Sequence, residues 1–244
     1  MGRMLSFLFV FLFCMSVTLA ITPHTVTFTG NLESDFVSDE WVYSDSSTDS
    51  AWGAFDELYK LYLTWDSLTL YLGVDGKRVE NETIDIWLAG GGSSNVVNLQ
   101  TVTLNKRFTT TSWHPEWAIH DDNTMVTLAG LYADGEFTWF DCSLGSLTTY
   151  SNKSGILEVA IPWGYLGLTP NHKLQCAVTI SGPLWGGCDA IPAQNPEPNG
   201  DGEADELSNW LQIQVADSNG IPLVGISPSG IQSVPVELSS FQAD

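Results

Sequence analysis

Positive charge is scarce in this sequence. It holds 8 lysines and arginines against 29 aspartates and glutamates, a formal charge of −21. Such a chain repels nucleic-acid phosphates and anionic lipid, so neither is expected as a partner. It suits divalent cations, neutral ligands and basic partners. Histidine is as sparse: His24, His114, His120 and His172 form no H-E-x-x-H motif and no i,i+4 pair. His120-Asp121-Asp122 reads as a polar hairpin turn. No serine stands in a nucleophile elbow, and Gly90-Gly91-Gly92-Ser93 lacks the spacing of a phosphate loop. Carboxylate pairs can always be chosen from 29 acids, so none is singled out as catalytic. With no constellation standing out, the chain reads as non-catalytic.

Long apolar runs are missing beyond the first twenty residues, which excludes a later membrane-spanning helix. Leu5 to Val17 is apolar, Arg3 precedes it, and Thr18-Leu19-Ala20 offers a small-residue cleavage site. Residues 1–20 are therefore expected to be a signal peptide, and the protein to be secreted or held at the cell surface. Residues 21–220 are expected to form one domain, with 221–244 a tail or the start of a truncated junction. Cysteine is rare too. Outside the leader stand only Cys142, Cys176 and Cys188, with no C-x-x-C pattern. In an oxidising compartment one pair can form; Cys176–Cys188 closes the shortest loop, and the spacing leaves the connectivity open. Asn81-Glu82-Thr83 and Asn152-Lys153-Ser154 are sequons, relevant only in a glycosylating host.

What is present in quantity is a period of two. Val26 and Phe28 alternate with threonines. Tyr59, Leu61, Leu63 and Trp65 alternate with more polar neighbours, Asp66-Ser67 interrupts, and Leu68, Leu70, Leu72 and Val74 resume the alternation. Two patterned runs across a short polar turn predict a hairpin. Further strands are expected around Ile84–Leu88, Val97–Thr103, Trp117–Ile119, Met125–Leu128, Phe137–Asp141, Ile156–Ile161, Leu174–Ile180 and Leu211–Val215. No long 3.6-residue period occurs, and helix is expected only in turns such as Pro162 to Leu168. The expected fold is all-β: a two-sheet antiparallel β-sandwich, jelly-roll-like. Ile191 to Glu206 reads as a long loop, of the length usually reserved for function or disorder.

Three segments in order carry a resemblance. Glu57-Leu58-Tyr59-Lys60-Leu61-Tyr62-Leu63-Thr64-Trp65-Asp66 with Leu70-Tyr71-Leu72-Gly73-Val74 resembles the hairpin of glucodextranase C-terminal-like domains. Those belong with DOMON-like and family-9-like carbohydrate-binding modules. Glu158-Val159-Ala160-Ile161-Pro162-Trp163 resembles the same group's strand and turn. Asp189-Ala190-Ile191-Pro192 and the acidic stretch before Trp210 resemble its last loop and strand. The resemblance implies an extracellular sandwich, often with structural calcium and often a binding module. Val234-Pro235-Val236-Glu237-Leu238-Ser239-Ser240-Phe241 is similar to a junction found in surface proteins of the type IX export system.

Two sets of residues are candidates for binding. Asp201, Glu203 and Asp205 place oxygens at alternate positions of a glycine-containing loop, a pattern suited to structural Ca²⁺. Asp45 and Asp49 are weaker candidates for the same ion. Sugars stack on exposed aromatic rings. Of ten tryptophans, Trp65, Trp163 and Trp210 sit in strand patterns and are expected in the core. Trp113, Trp117, Trp139 and Trp185 stand near loops and are the candidates for contact with a polysaccharide or cell-surface glycan. The alternative is structural: self-assembly by strand addition, with Val26 to Phe28 as the donated strand.

Overall fold

The computed structural model describes residues 24–37, 41–79, 81–90, 98–100, 107–110, 113–122, 124–130, 140–141, 147–152, 154–182, 186–194 and 196–219. The expected leader, the whole of the expected tail, Cys142, Trp139 and Trp185 lie outside the described residues.

The regular secondary structure of the described residues is nearly all strand. In chain order they are β1 (Trp41–Ser44), β2 (Glu57–Trp65), β3 (Thr69–Lys77), β4 (Thr83–Ala89) and β5 (Asn98–Gln100). Next come β6 (Arg107–Thr109), β7 (Trp117–Asp121), β8 (Val126–Gly130), β9 (Phe140–Asp141) and β10 (Thr148–Ser151). The last are β11 (Leu157–Pro162), β12 (Leu174–Gly182), β13 (Gly186–Ile191), β14 (Asp205–Glu206) and β15 (Leu211–Ile213). One helical turn, α1 (Leu32–Asp35), precedes them, and a 3-10 turn at Trp163–Tyr165 follows Pro162 as expected.

Two antiparallel sheets pack face to face. The first runs β1-β2-β3-β11-β10 and the second β13-β12-β4-β7-β8-β9. β15 pairs with the first half of β12, Cys176 opposite Leu211, while β13 takes the second half. Leu61, Leu63, Leu70, Leu72, Val159 and Ile161 from the first sheet meet Ile84, Ile86, Ile119, Val178 and Ile180 from the second in one buried core. Trp65, at the end of β2, and Trp163, in the 3-10 turn, are part of it, as expected of both.

Each outer face is covered as well. A third small sheet, β14-β6-β5, with β14 parallel to β6, lies over the second sheet. Leu99, Phe108 and Leu207 pack there against Trp87 and the small side chains of Ala89, Ala118, Ala177 and Ala190. This makes β4 buried along its whole length. Residues 24–37 cover the first sheet: Val26, Leu32 and Phe36 bury Tyr62, Tyr71 and Ala160. The approach is close at Gly73, where a Cβ would fall 2.6 Å from Leu32 Cδ2.

Three expectations need correction. Val26 to Phe28 is not a strand; it crosses the face of its own sheet, where its side chains find apolar partners without a ladder. His120 and Asp121 belong to β7 rather than to a turn, because Asp85 and Arg78 supply buried partners for them. Leu58, not Tyr59, begins the inward row of β2, because a β-bulge between Leu58 and Lys60 shifts the alternation by one. Cys176 and Cys188 are unpaired and buried on different parts of the second sheet.

Candidate metal centre

The β2 bulge sits beside a concentration of negative charge. The bulge takes Tyr59 out of the ladder, and beside it the Leu58 N–H donates to Asp189 Oδ2 of β13 at 2.6 Å. The Ala190 N–H donates to the other Asp189 oxygen at 2.8 Å. Asp45 follows β1 directly, and its N–H donates to the Tyr59 carbonyl at 2.9 Å. The connection from β1 to β2 carries Asp49 and is tied to β13 by the Ala51 N–H donating to the Cys188 carbonyl at 2.8 Å. Both sheets therefore contribute to one end of the sandwich.

Asp45, Asp49 and Asp189 each bring a carboxylate oxygen within 4.8 Å of the other two. Glu57 opens β2 beside Asp49 and is fully buried, with neither oxygen in a hydrogen bond of good geometry. Glu197, from the loop after β13, acts electrostatically on the same group. Asp45 Oδ2, Asp49 Oδ1 and Glu197 Oε2 are also buried without a partner. Buried unpaired oxygens of this kind cost free energy, and unpaired buried charge costs more.

The titration behaviour follows from that placement. Burial, with Asp49 close by, pushes Asp45 up to about 7. Burial pushes Asp189 up to about 8, against the two N–H groups it accepts from. Burial and Asp49 push Glu197 up to about 7, and burial and Asp49 raise Glu57. The charged neighbours of these four are one another and Asp49. Tyr43 is raised by burial and by Asp45, which places it beside the cluster.

The expected ligands in the acidic loop are arranged differently. Asp201 and Glu203 are exposed, and Asp201 Oδ1 is spent on the Glu203 N–H at 2.8 Å. Asn199 Oδ1 likewise accepts from the Asp201 N–H at 2.9 Å. Asp205 is half-buried in β14, and burial pushes it up to about 6. The three carboxylates do not converge; among the described residues the converging three are Asp45, Asp49 and Asp189. Local turn hydrogen bonds engage Asn199 and Asp201 while Asp205 Oδ2 stays buried without a partner, whereas tertiary contact assembles the other cluster. Its visible sequence signals were the Ser/Asp-rich stretch at 44–50 and Asp189 before Ile191-Pro192. Nothing local marks Glu57 or Glu197.

Of the four candidate tryptophans, Trp113 is 2% exposed, stacked on Trp210 at 6.1 Å between ring centroids, and donates its Nε1–H to the Leu207 carbonyl. Both ring faces are covered, so it offers no platform to a sugar. Trp117 is half-buried, and its ring packs against the main core. No family model and no curated protein matches this chain.

Proposed function

We propose that this chain is an extracellular, non-catalytic binding module, stabilised by a structural Ca²⁺ and directed to a carbohydrate. The observation that carries the cation is the cluster of Asp45, Asp49 and Asp189 with Glu57 and Glu197 around it. Two ligands on opposite sides of a calcium ion stand roughly 4.8 Å apart, given Ca–O distances of 2.3–2.6 Å. The donors are all hard oxygens with no histidine among them, a set suited to Ca²⁺ over zinc or copper. An ion here would neutralise the mutual repulsion and satisfy the orphaned oxygens together. These residues, with Tyr43 at hand, would hold it.

The carbohydrate part rests on the resemblance of the β2–β3 hairpin and of β11 to glucodextranase C-terminal-like and family-9-like modules. It does not rest on Trp113. Export rests on the N-terminal sequence pattern.

A glycan array with the purified protein, run with calcium and with chelator, tests the whole reading. Retention by a polysaccharide in calcium, weakened by chelator, is the expected result. No retention on any glycan ends the carbohydrate part. Identical melting temperatures in calcium and in chelator end the metal part.

A further inference from the structure

The strap of residues 24–37 reaches the first sheet through more than apolar contact. Its centre is a pair of acids. Glu158 stands at an outward-facing position of β11, where a strand residue ordinarily meets solvent, and is 0% exposed. Its Oε2 accepts the Gly30 N–H of the strap at 2.8 Å, and its Oε1 is buried with no hydrogen-bond partner of good geometry. Beside it lies Asp35, the last residue of α1, itself buried. Asp35 accepts from the Thr29 N–H at 2.7 Å, the Thr29 hydroxyl at 2.8 Å and the Ser34 hydroxyl at 3.2 Å. Two carboxylates side by side cannot both be ionised there without repulsion, and a proton between them satisfies the orphaned oxygen.

The other groups facing the pair bring no positive charge. Tyr150 of β10 lies over Gly30, and Gly73 of β3 carries no side chain. The strap's remaining charged contacts are elsewhere. Glu33 meets Lys60 at 3.4 Å, near Asp75, which burial raises. Thr25, next to His24, donates to Asp66 at the β2–β3 turn.

We propose that residues 24–37 form a pH-operated strap, docked on the outer face of the first sheet while Asp35 and Glu158 share one proton and released when that proton leaves. Release uncovers a face built of Tyr62, Tyr71 and Ala160.

The direction follows from which acid holds the proton. Burial, and then Asp35, push Glu158 up from 4.5 to about 7, whereas in the released strap it returns to the ordinary range. The proton's contribution to docking is complete below about 4.5 and falls away as pH rises to about 7. Asp35 is held below its usual value: burial opposes this, and the hydrogen bonds from Thr29, then from Glu158 and Ser34, outweigh it. Asp35 is therefore the ionised member of the pair.

Amide hydrogen exchange of the purified protein reads the strap directly, through Thr29, Gly30, Asp35 and Phe36, whose N–H groups are bonded in the docked state. After correction for intrinsic rates, their protection falls by roughly tenfold to a hundredfold between pH 5 and pH 8, while β12 amides stay protected. Glu158→Gln still accepts the Gly30 N–H and donates to Asp35 without titrating, so its strap stays protected at pH 8. Asp35→Asn does the same from the other side and decides the matter should the first variant fail to fold. Asp75→Asn keeps the wild-type pH response. Strap protection equal at pH 5 and pH 8 in the wild type, or lost at pH 8 in both neutral variants, overturns the proposal.

Discussion

At the scale of single residues, Trp113 and Trp117 lie four positions apart and differ in surroundings. Trp113 fills the space between Trp210 and the Leu207 backbone. Truncating a buried Trp costs about 3–5 kcal/mol. Trp113→Ala is therefore expected to melt about 10 °C below the wild type, with a smaller loss for half-buried Trp117→Ala. Thermal melts followed by near-ultraviolet circular dichroism give the comparison, and a Trp113→Ala melt matching the wild type would contradict the burial. Arg78 is the second case. Its guanidinium is fully buried and donates to Asp121 Oδ2 at 2.8 Å, to the Asp121 carbonyl at 3.0 Å and to the Asn152 carbonyl at 3.1 Å. Removing it takes the counter-charge from the buried Asp121 carboxylate, which keeps the Ser151 hydroxyl. Arg78→Met should cost about 3–5 kcal/mol in urea unfolding, and an added Asp121→Leu should recover part of that loss.

At the scale of elements, the β2–β3 hairpin turns on Asp66. Its Oδ1 accepts the Leu68 and Thr69 N–H groups at 2.8 and 2.9 Å, and its Oδ2 accepts the Tyr71 hydroxyl at 2.7 Å. Thr25 of the strap adds a fourth bond, so one carboxylate shapes the turn and holds the covering segment. Burial works against its ionisation, but the Tyr71 hydroxyl and the turn N–H groups outweigh burial and hold its pKa below the ordinary 3.8. The stability it supplies is present above about 4 and lost as pH falls through the folded value. Asp66→Asn should therefore be less stable than the wild type at pH 6, by about 1–2 kcal/mol, with the gap narrowing toward pH 2. A gap that widens in acid would reverse the assignment.

At the scale of the whole molecule, the carboxylate cluster is where the two sheets are tied at one end. The β1–β2 connection and Glu57 come from the first sheet, Asp189 from the second, and Glu197 from the loop beyond it. A cation bound only by the folded protein raises stability by mass action, about 2.7 kcal/mol at a hundred times its dissociation constant. Calcium should accordingly raise the melting temperature by several degrees over chelator. Asp45→Asn with Asp49→Asn should abolish that rise and, by relieving repulsion, melt no lower than the wild type in chelator. Asp201→Asn with Asp205→Asn should leave the rise intact. A calcium response lost in the second pair and kept in the first would move the ion to the acidic loop.

The sequence by itself determined the strands whose two faces differ. The alternation of Leu61, Leu63, Leu70 and Leu72 with polar neighbours is written locally, and the hairpin, β4, β11 and β12 follow from it. It also determined that Trp65 is buried, since its strand position fixes the side it faces; Trp163 and Trp210 are buried as well, but from the 3-10 turn after β11 and from the residue before β15. Strands with short or polar sequences, such as β1, β10 and β13, were not legible, because a ladder partner rather than a pattern makes them strands. Only the tertiary structure decided which acids act together. Asp45 and Asp189 are 144 positions apart, and their meeting depends on the β2 bulge, the pairing of β12 with β13 and the anchoring of Ala51 to Cys188. Glu158 is the same lesson in one residue: its strand position points it at solvent, and a segment more than a hundred residues earlier covers it. Alternation is a property of neighbours in the chain, whereas the burial of a charge is a property of whatever the rest of the chain lays over it.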